Sequence, residues 1–318
     1  MYHTSSPVRP LDQHYLERPS PNPSRRLRYA AAYYAVALPA VLRPHRLELS
    51  KRLTAYRSHF DVTESDQRAW FKLFEVDPET GKRVPFTYAT TAATLTFMHL
   101  LGELGINFKY LRHVGSEMNL EPTNLAVTPG HRYTYLAALS DIFAVGSGRV
   151  VLELGSHIFD ETGQPCARHT DYFMATDFSS AQLDALKDAK DTGKRGRFEK
   201  VSAYTRQLGG EAVRIHSRIH IHPNMGVRYG RLSGDMNIVH TTHLAARLMG
   251  YPKPFIQGFC TVNLILSRLV AQGVTVQTMK TTFARPVFVG EDIELFYGAE
   301  RFELVGRQGK VLAYGTVQ

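Results

Sequence analysis

One stretch limits the possible folds more than any other. From Phe259 to Val270 the chain is largely apolar, with no glycine or proline inside, and it is bounded by Gly258 and Gly273. It is long enough for a helix, and a helix so apolar has to be buried. The segments around it read as strands: about Phe198–Gln207 and Arg214–Ile221 before it, then Val274–Phe283, Asp292–Phe302 and Lys310–Val317 after it. One long buried helix among several antiparallel strands predicts an α+β arrangement.

The N-terminal half shows the same order of elements. Its apolar stretch Phe86–Leu104 holds Tyr88, Leu95, Phe97, Met98, Leu100 and Leu101, with Gly105 as the stop signal. Strand-like segments follow at Asn124–Val127, Tyr133–Leu139, Val150–Phe159 and His169–Ala175, with a hairpin turn at Asp160-Glu-Thr-Gly163. A short helix is expected at Ser179–Leu186, then a polar, lysine-rich bridge to about residue 198. The expected division is an extension over 1–57, a first unit over 58–178, a linker over 179–199 and a second unit over 200–318. No residue-by-residue repeat is visible, so the two-fold plan rests on element order alone.

Charge is unevenly placed. The first 57 residues carry ten Lys and Arg against three acids, most of the formal net charge of +9. Five prolines fall before residue 25, which predicts disorder there, and a helical segment is expected to run on to about residue 57. Tyr29–Leu42 is apolar but, at 14 residues, too short to cross a bilayer as a helix. It reads as a helix packed on the protein or at a subunit interface, or as a peripheral membrane contact beside basic residues. No nucleic-acid-binding signature accompanies the basic arm, so no nucleic-acid partner is expected. Cys166 and Cys260 are far apart and outside any C-x-x-C pattern, which argues against a zinc site or disulfide framework and fits a cytoplasmic protein. Cys260, inside the apolar run, reads as a buried structural thiol.

Candidate chemistry concentrates in Tyr229-Gly-Arg-Leu-Ser-Gly-Asp-Met-Asn-Ile-Val-His240. Asp235, Asn237 and His240 fall within six residues, directly after a Ser-Gly pair. A carboxylate and an imidazole so close can hold one water between them and move its protons. Eighteen residues past His240 stands Gly258, whose bare backbone N–H can face a developing oxyanion. Taken singly, Asp235 is ordinary turn chemistry and His240 an ordinary core histidine; the constellation is what points to catalysis.

This segment resembles the MaoC-like (R)-specific enoyl-CoA hydratases, the hydratase 2 family. Tyr229, Leu232, Ser233, Gly234, Asp235, Asn237, Val239, His240 and Ala246 fit that family's fingerprint, and Phe283, Pro286, Val287, Gly290 and Glu291 fit a second landmark. Ile238 stands where the family usually has Pro, and Gln257 where it usually has His. The resemblance is strong over about 200–318 and one of layout over about 60–175.

The resemblance implies a double hot-dog fold, two sheets each wrapped around a central helix. It implies reversible hydration of trans-2-enoyl thioesters to (R)-3-hydroxyacyl thioesters, with coenzyme A or an acyl carrier protein as carrier, and with no cofactor and no metal. Asp235 and His240 would be the catalytic pair, Asn237 an orienting group and Gly258 the oxyanion donor. The first half would open a tunnel for the acyl chain. Substrate-contacting candidates are Tyr88, Phe97, Met98, Gln257, Phe259, Arg285 and Pro286, with Leu95 also near the tunnel. Arg231, Lys187, Lys190, Lys194, Arg195 and Arg197 are candidates for a basic rim facing the carrier. Gln257 is also expected to support loop geometry, and His243 to face solvent or pack locally. Gly115-Ser116-Glu117-Met118-Asn119 echoes the fingerprint without its His and reads as strand or loop. A homodimer is a further expectation. Two rival readings are a hot-dog thioesterase and a non-catalytic acyl-thioester-binding scaffold.

Overall fold

In a computed structural model, the residues described are 16–17, 26–44, 55–77, 94–120, 129–146, 148–184, 186 and 212–318. The N-terminal half runs β1 (Leu16–Glu17), α1 (Arg26–Leu42), β2 (Ala55–Asp61), α2 (Glu64–Phe74) and α3 (Thr94–Glu103), then β3 (Leu111–Leu120), β4 (Arg132–Ala144), β5 (Val150–Phe159), β6 (Pro165–Ala175) and α4 (Ser180–Asp184). The C-terminal half runs β7 (Ile215–His220), α5 (Met225–Ser233), a 3₁₀ turn at Ile238–His240, α6 (His243–Leu248) and α7 (Gly258–Ala271), then β8 (Thr278–Phe283), β9 (Asp292–Tyr297), β10 (Arg301–Val305) and β11 (Val311–Val317).

The strands form one sheet in the order β1-β2-β4-β5-β6-β3-β8-β11-β10-β9-β7. Strands of the two halves stay on their own sides. They meet where β3 pairs antiparallel with β8, from Gly115↔Thr282 to Asn119↔Thr278. The two expected sheets are therefore continuous edge to edge.

The long apolar run is α7, and ten of its residues, from Phe259 to Leu269, are buried. Leu264, Ile265, Leu266 and Leu269 are at most 3% exposed, each worth about 1.5–3 kcal/mol of transfer free energy. In the N-terminal half α3 takes the equivalent place, burying Leu95, Phe97, Leu100 and Leu101. The two helices meet through stacked rings of Phe97 and Phe259, centroids 6.3 Å apart. A second tie crosses from α2, where the Trp70 indole N–H donates to Asn263 Oδ1 on α7 at 3.1 Å. One hydrophobic core runs through both halves.

Two expectations are corrected. Residues 55–57, expected to end a helical segment, begin strand β2; alternating burial along Ala55–Asp61 is the sheet period, which the leucines upstream obscure. The stretch 292–302 is two strands, because the chain turns at Gly298, whose N–H donates to Arg301 O. The opening of the fingerprint is the end of helix α5, so the loop starts only at Gly234. Gly115–Asn119 lies in β3, in keeping with its strand reading. The segments Asn124–Val127 and Phe198–Gln207, the prolines before residue 25 and the lysine-rich bridge lie outside the described residues.

Helix α1 packs on α3 through Tyr33, Ala37 and Ala40, while Leu38, Val41 and Leu42 are exposed. Among the described residues no helix is long and apolar enough to cross a membrane.

Candidate active site

The site loop begins where α5 stops. Gly234 ends the helix with φ 78°, a left-handed conformation that favours glycine, and its N–H reaches back to Gly230 O at 2.8 Å. The buried Ser233 hydroxyl donates to Tyr229 O at 2.9 Å and accepts from the Asp235 N–H at 3.2 Å. Asp235 Oδ1 accepts from the Asn237 N–H at 3.3 Å, and Asn237 Oδ1 accepts from the Val239 N–H at 3.3 Å. Each polar side chain thus fixes the backbone two residues on, which is how short polar residues build turns. Asn237 acts here as the cap of the 3₁₀ turn that carries His240. Gly226 makes that turn possible: a Cβ on it would run into the His240 carbonyl.

His240 is partly buried, and its Nδ1 donates to Phe255 O at 2.8 Å. That bond assigns the tautomer with Nε2 as the free lone pair. Burial lowers the His240 pKa, against the opposing pull of the Asp235 charge and of Phe255. The imidazole is therefore neutral at pH 7, with a basic nitrogen to offer. Among the described residues Asp235 forms no ion pair. Its charge is felt by Tyr34, Tyr229, His240 and Cys260, side chains from four segments converging on the loop.

Gly258 is the first residue of α7, where backbone N–H groups have no partner within the helix and the helix dipole favours negative charge. Gln257, just before it, is 1% exposed. Its Nε2 donates to Gly226 O at 3.1 Å and to Asp235 O at 3.0 Å. The amide thereby locks the Asp235 loop to the helix start. With its nitrogen committed to two carbonyls, Gln257 supports the loop, while its Oε1 has no hydrogen-bond partner among the described residues.

The remaining candidates separate. Phe259 and Phe97 are buried in the interhelical stack, and Phe97 also meets Tyr135 and Phe173 edge-on. Met98 is partly buried against the core. Arg285 is half-buried and donates to Val311 O at 2.8 Å, and Pro286 beside it is also half-buried. Arg231 and His243 are exposed. Tyr88, Lys187, Lys190, Lys194, Arg195 and Arg197 lie outside the described residues. Cys260 is wholly buried, and burial pushes its thiol far up, so it is no nucleophile.

Two contributors escaped the sequence reading. Tyr34 on α1 donates its hydroxyl to Met236 O at 2.9 Å, tying the N-terminal helix to the site loop. His113 on β3 brings its imidazole against Gly258 and is held from behind by Asp171 on β6, Nε2 to Oδ1 at 3.1 Å. The pair is 58 residues apart in sequence. The available signal was an acid at an inward position of an alternating strand, between His169 and Phe173.

Comparison with known proteins fits this geometry. Residues 205–314 match the family described as MaoC like domain. Over 69 residues, 20% of this chain and 24% of the relative, the sequence is 36% identical to 3-hydroxyacyl-thioester dehydratase Y of Mycobacterium tuberculosis. Over 76 residues, 22% of this chain and 24% of the relative, it is 32% identical to the peroxisomal enoyl-CoA hydratase 2 of Arabidopsis thaliana. The chain spans about a quarter of the length of these two curated relatives. Among solved structures, HtdX of Mycobacterium tuberculosis superposes with TM-score 0.62 at 16% identity, over 83% of this chain and 98% of that one. A MaoC-like dehydratase from Phytophthora capsici gives 0.62 at 16% identity, over 86% and 99%. A Mycobacterium tuberculosis protein described as having a double hot-dog fold gives 0.54 at 10% identity, over 81% and 93%. The fold is the double hot dog, and residues 205–314 of its C-terminal half are similar to the MaoC like domain.

Proposed function

We propose that this chain adds water to trans-2-enoyl thioesters and removes it from (R)-3-hydroxyacyl thioesters, carried on coenzyme A or an acyl carrier protein. The observation that carries this reading is the His240 tautomer. Its Nδ1–H is spent on Phe255 O, leaving a neutral Nε2 in the field of an unpaired carboxylate. In hydration, His240 Nε2 takes a proton from water as the oxygen bonds to the β-carbon. Asp235 holds the same water, and the pair delivers a proton to the α-carbon. The negative charge passing onto the thioester oxygen is met by the Gly258 N–H at the start of α7. The match to a MaoC like domain and the names of the relatives support the reading.

In this reading the N-terminal half houses the acyl chain, and Phe97, Met98 and Phe259 border it. The exposed apolar end of α1 serves peripheral membrane contact or a second copy of the chain. A cytoplasmic location, with its thiols reduced, completes the proposal.

The test is a panel of short, medium and long trans-2-enoyl-CoA substrates. Loss of enoyl-thioester absorbance with no free thiol is expected. Thiol release would point instead to a thioesterase, and no turnover to a scaffold. Asp235→Asn and His240→Gln are each expected to lower kcat by at least about a hundredfold. Near-normal turnover in either variant would overturn the assignment.

A further inference from the structure

The imidazole of His113 belongs to the N-terminal half but lies at the mouth of the C-terminal helix. His113 pairs with Phe173 in the β3–β6 ladder, and the register shifts directly after it, before Gly115, the kind of bulge common near functional sites. The ring stacks on Phe173 of β6, with centroids 4.6 Å apart, and is flanked by Phe259 of α7 and Phe283 of β8. Four elements from both halves therefore fix its plane. Nε2 faces Asp171 Oδ1 at 3.1 Å, and Asp171 is wholly buried, with Oδ2 unpartnered. Nδ1, the other end of the ring, lies 2.5 Å from where a Cβ on residue 258 would be. It has no hydrogen-bond partner among the described residues. The side chain keeps 12% exposure.

A purely structural histidine would have both ring nitrogens satisfied or one in bulk water. Here one nitrogen is anchored to a buried carboxylate, and the other lies against Gly258, the residue whose N–H is assigned to the thioester oxygen. We propose that His113 is a second contact for that oxygen, contributed by the N-terminal half and resting on the hydratase reading above. Nε2 is held on Asp171, and Nδ1–H is donated to the oxygen as negative charge builds there. No covalent bond forms to His113, and its proton is shared with the oxygen, not transferred. The arrangement also explains Gly258: any side chain there would displace the ring.

The experiment compares wild type, His113→Gln and the paired variant His113→Phe with Asp171→Asn. The pair keeps an aromatic ring and leaves no charge buried alone. Each is checked for folding by circular dichroism and thermal melting. Turnover of trans-2-enoyl-CoA is measured beside the infrared carbonyl stretch of bound hexanoyl-CoA carrying ¹³C at the thioester carbon, a probe that cannot be hydrated. Loss of one oxyanion donor is expected to lower kcat by about 10²–10³ with KM nearly unchanged. In folded variants it should also raise the carbonyl stretch toward its value in solution. A merely structural role would leave the stretch where it is. If wild type is active, Asp235→Asn is inactive, and a folded His113 variant keeps both kcat and the stretch, this inference alone is overturned. If wild type neither turns over the substrates nor binds the probe, the hydratase reading falls and this one with it.

Discussion

The two halves share a plan and differ in where they keep their polar groups. In the C-terminal half Asp235 and His240 sit on a loop stitched by backbone hydrogen bonds, outside the central helix. In the N-terminal half Tyr135, Ser156, His169 and Asp171 sit on strands, on the sheet face turned toward the core, each at most 1% exposed. Two of their polar atoms, His169 Nε2 and Asp171 Oδ2, have no hydrogen-bond partner among the described residues. A loop can present a reactive group to a substrate and still be rigid when its backbone is pinned. A strand fixes direction but surrenders access. Under the proposed hydratase function, the C-terminal half would react, and the N-terminal half would position and contain.

The sharpest way to break this contrast is Asp235→Asn. It should abolish more than about 99% of turnover while shifting the melting temperature little, because the carboxylate is partly exposed and makes no ion pair. A large loss of stability would mean that the loop is structural after all. Next comes acid. Burial lowers the His169 pKa to about 4 from an ordinary 6.5, and Asp171 only partly opposes it. Between these values the unfolded chain binds a proton that the folded chain refuses. Stability should therefore fall as pH drops from 6.5 to 4 and level off below, by roughly 3 kcal/mol for this one group. His157, also lowered to about 4 by burial, acts in the same direction. Denaturant titrations across that range should flatten in His169→Gln; an unchanged slope would remove His169 as a cause.

A smaller effect tests the lock between loop and helix. Gln257→Leu leaves the Gly226 and Asp235 carbonyls buried without their donor, which should cost about 2 kcal/mol and lower kcat more than it raises KM. The smallest is Trp70→Phe, which removes one hydrogen bond between the halves and should cost about 1–2 kcal/mol without touching kcat. Chemical denaturation with parallel kinetics reads both.

The sequence showed best what local pattern determines. The apolar run of α7, the bounds of β5 and the Asp160 turn follow from periodicity and turn chemistry; in that turn Asp160 Oδ1 accepts from the Thr162 and Gln164 N–H groups. The Asp235–His240 loop was legible because its members lie within one turn of chain. Helix α5 was not, since Gly226 and Gly230 interrupt its pattern where the loop must approach closely. Nor was the place of His113 or Tyr34. Each acquires its meaning from a partner on another element, and no spacing rule connects residues joined only by sheet registration.

The shared ladder of β3 and β8 has a mechanical consequence. Because the halves are hydrogen-bonded along adjoining strands, they cannot swing apart as hinged lobes without tearing sheet. Under the proposed function, entry and exit of a bulky acyl carrier would then be gated by side chains around a rigid frame. Binding energy is left free for alignment, since none is spent on closing a clamshell.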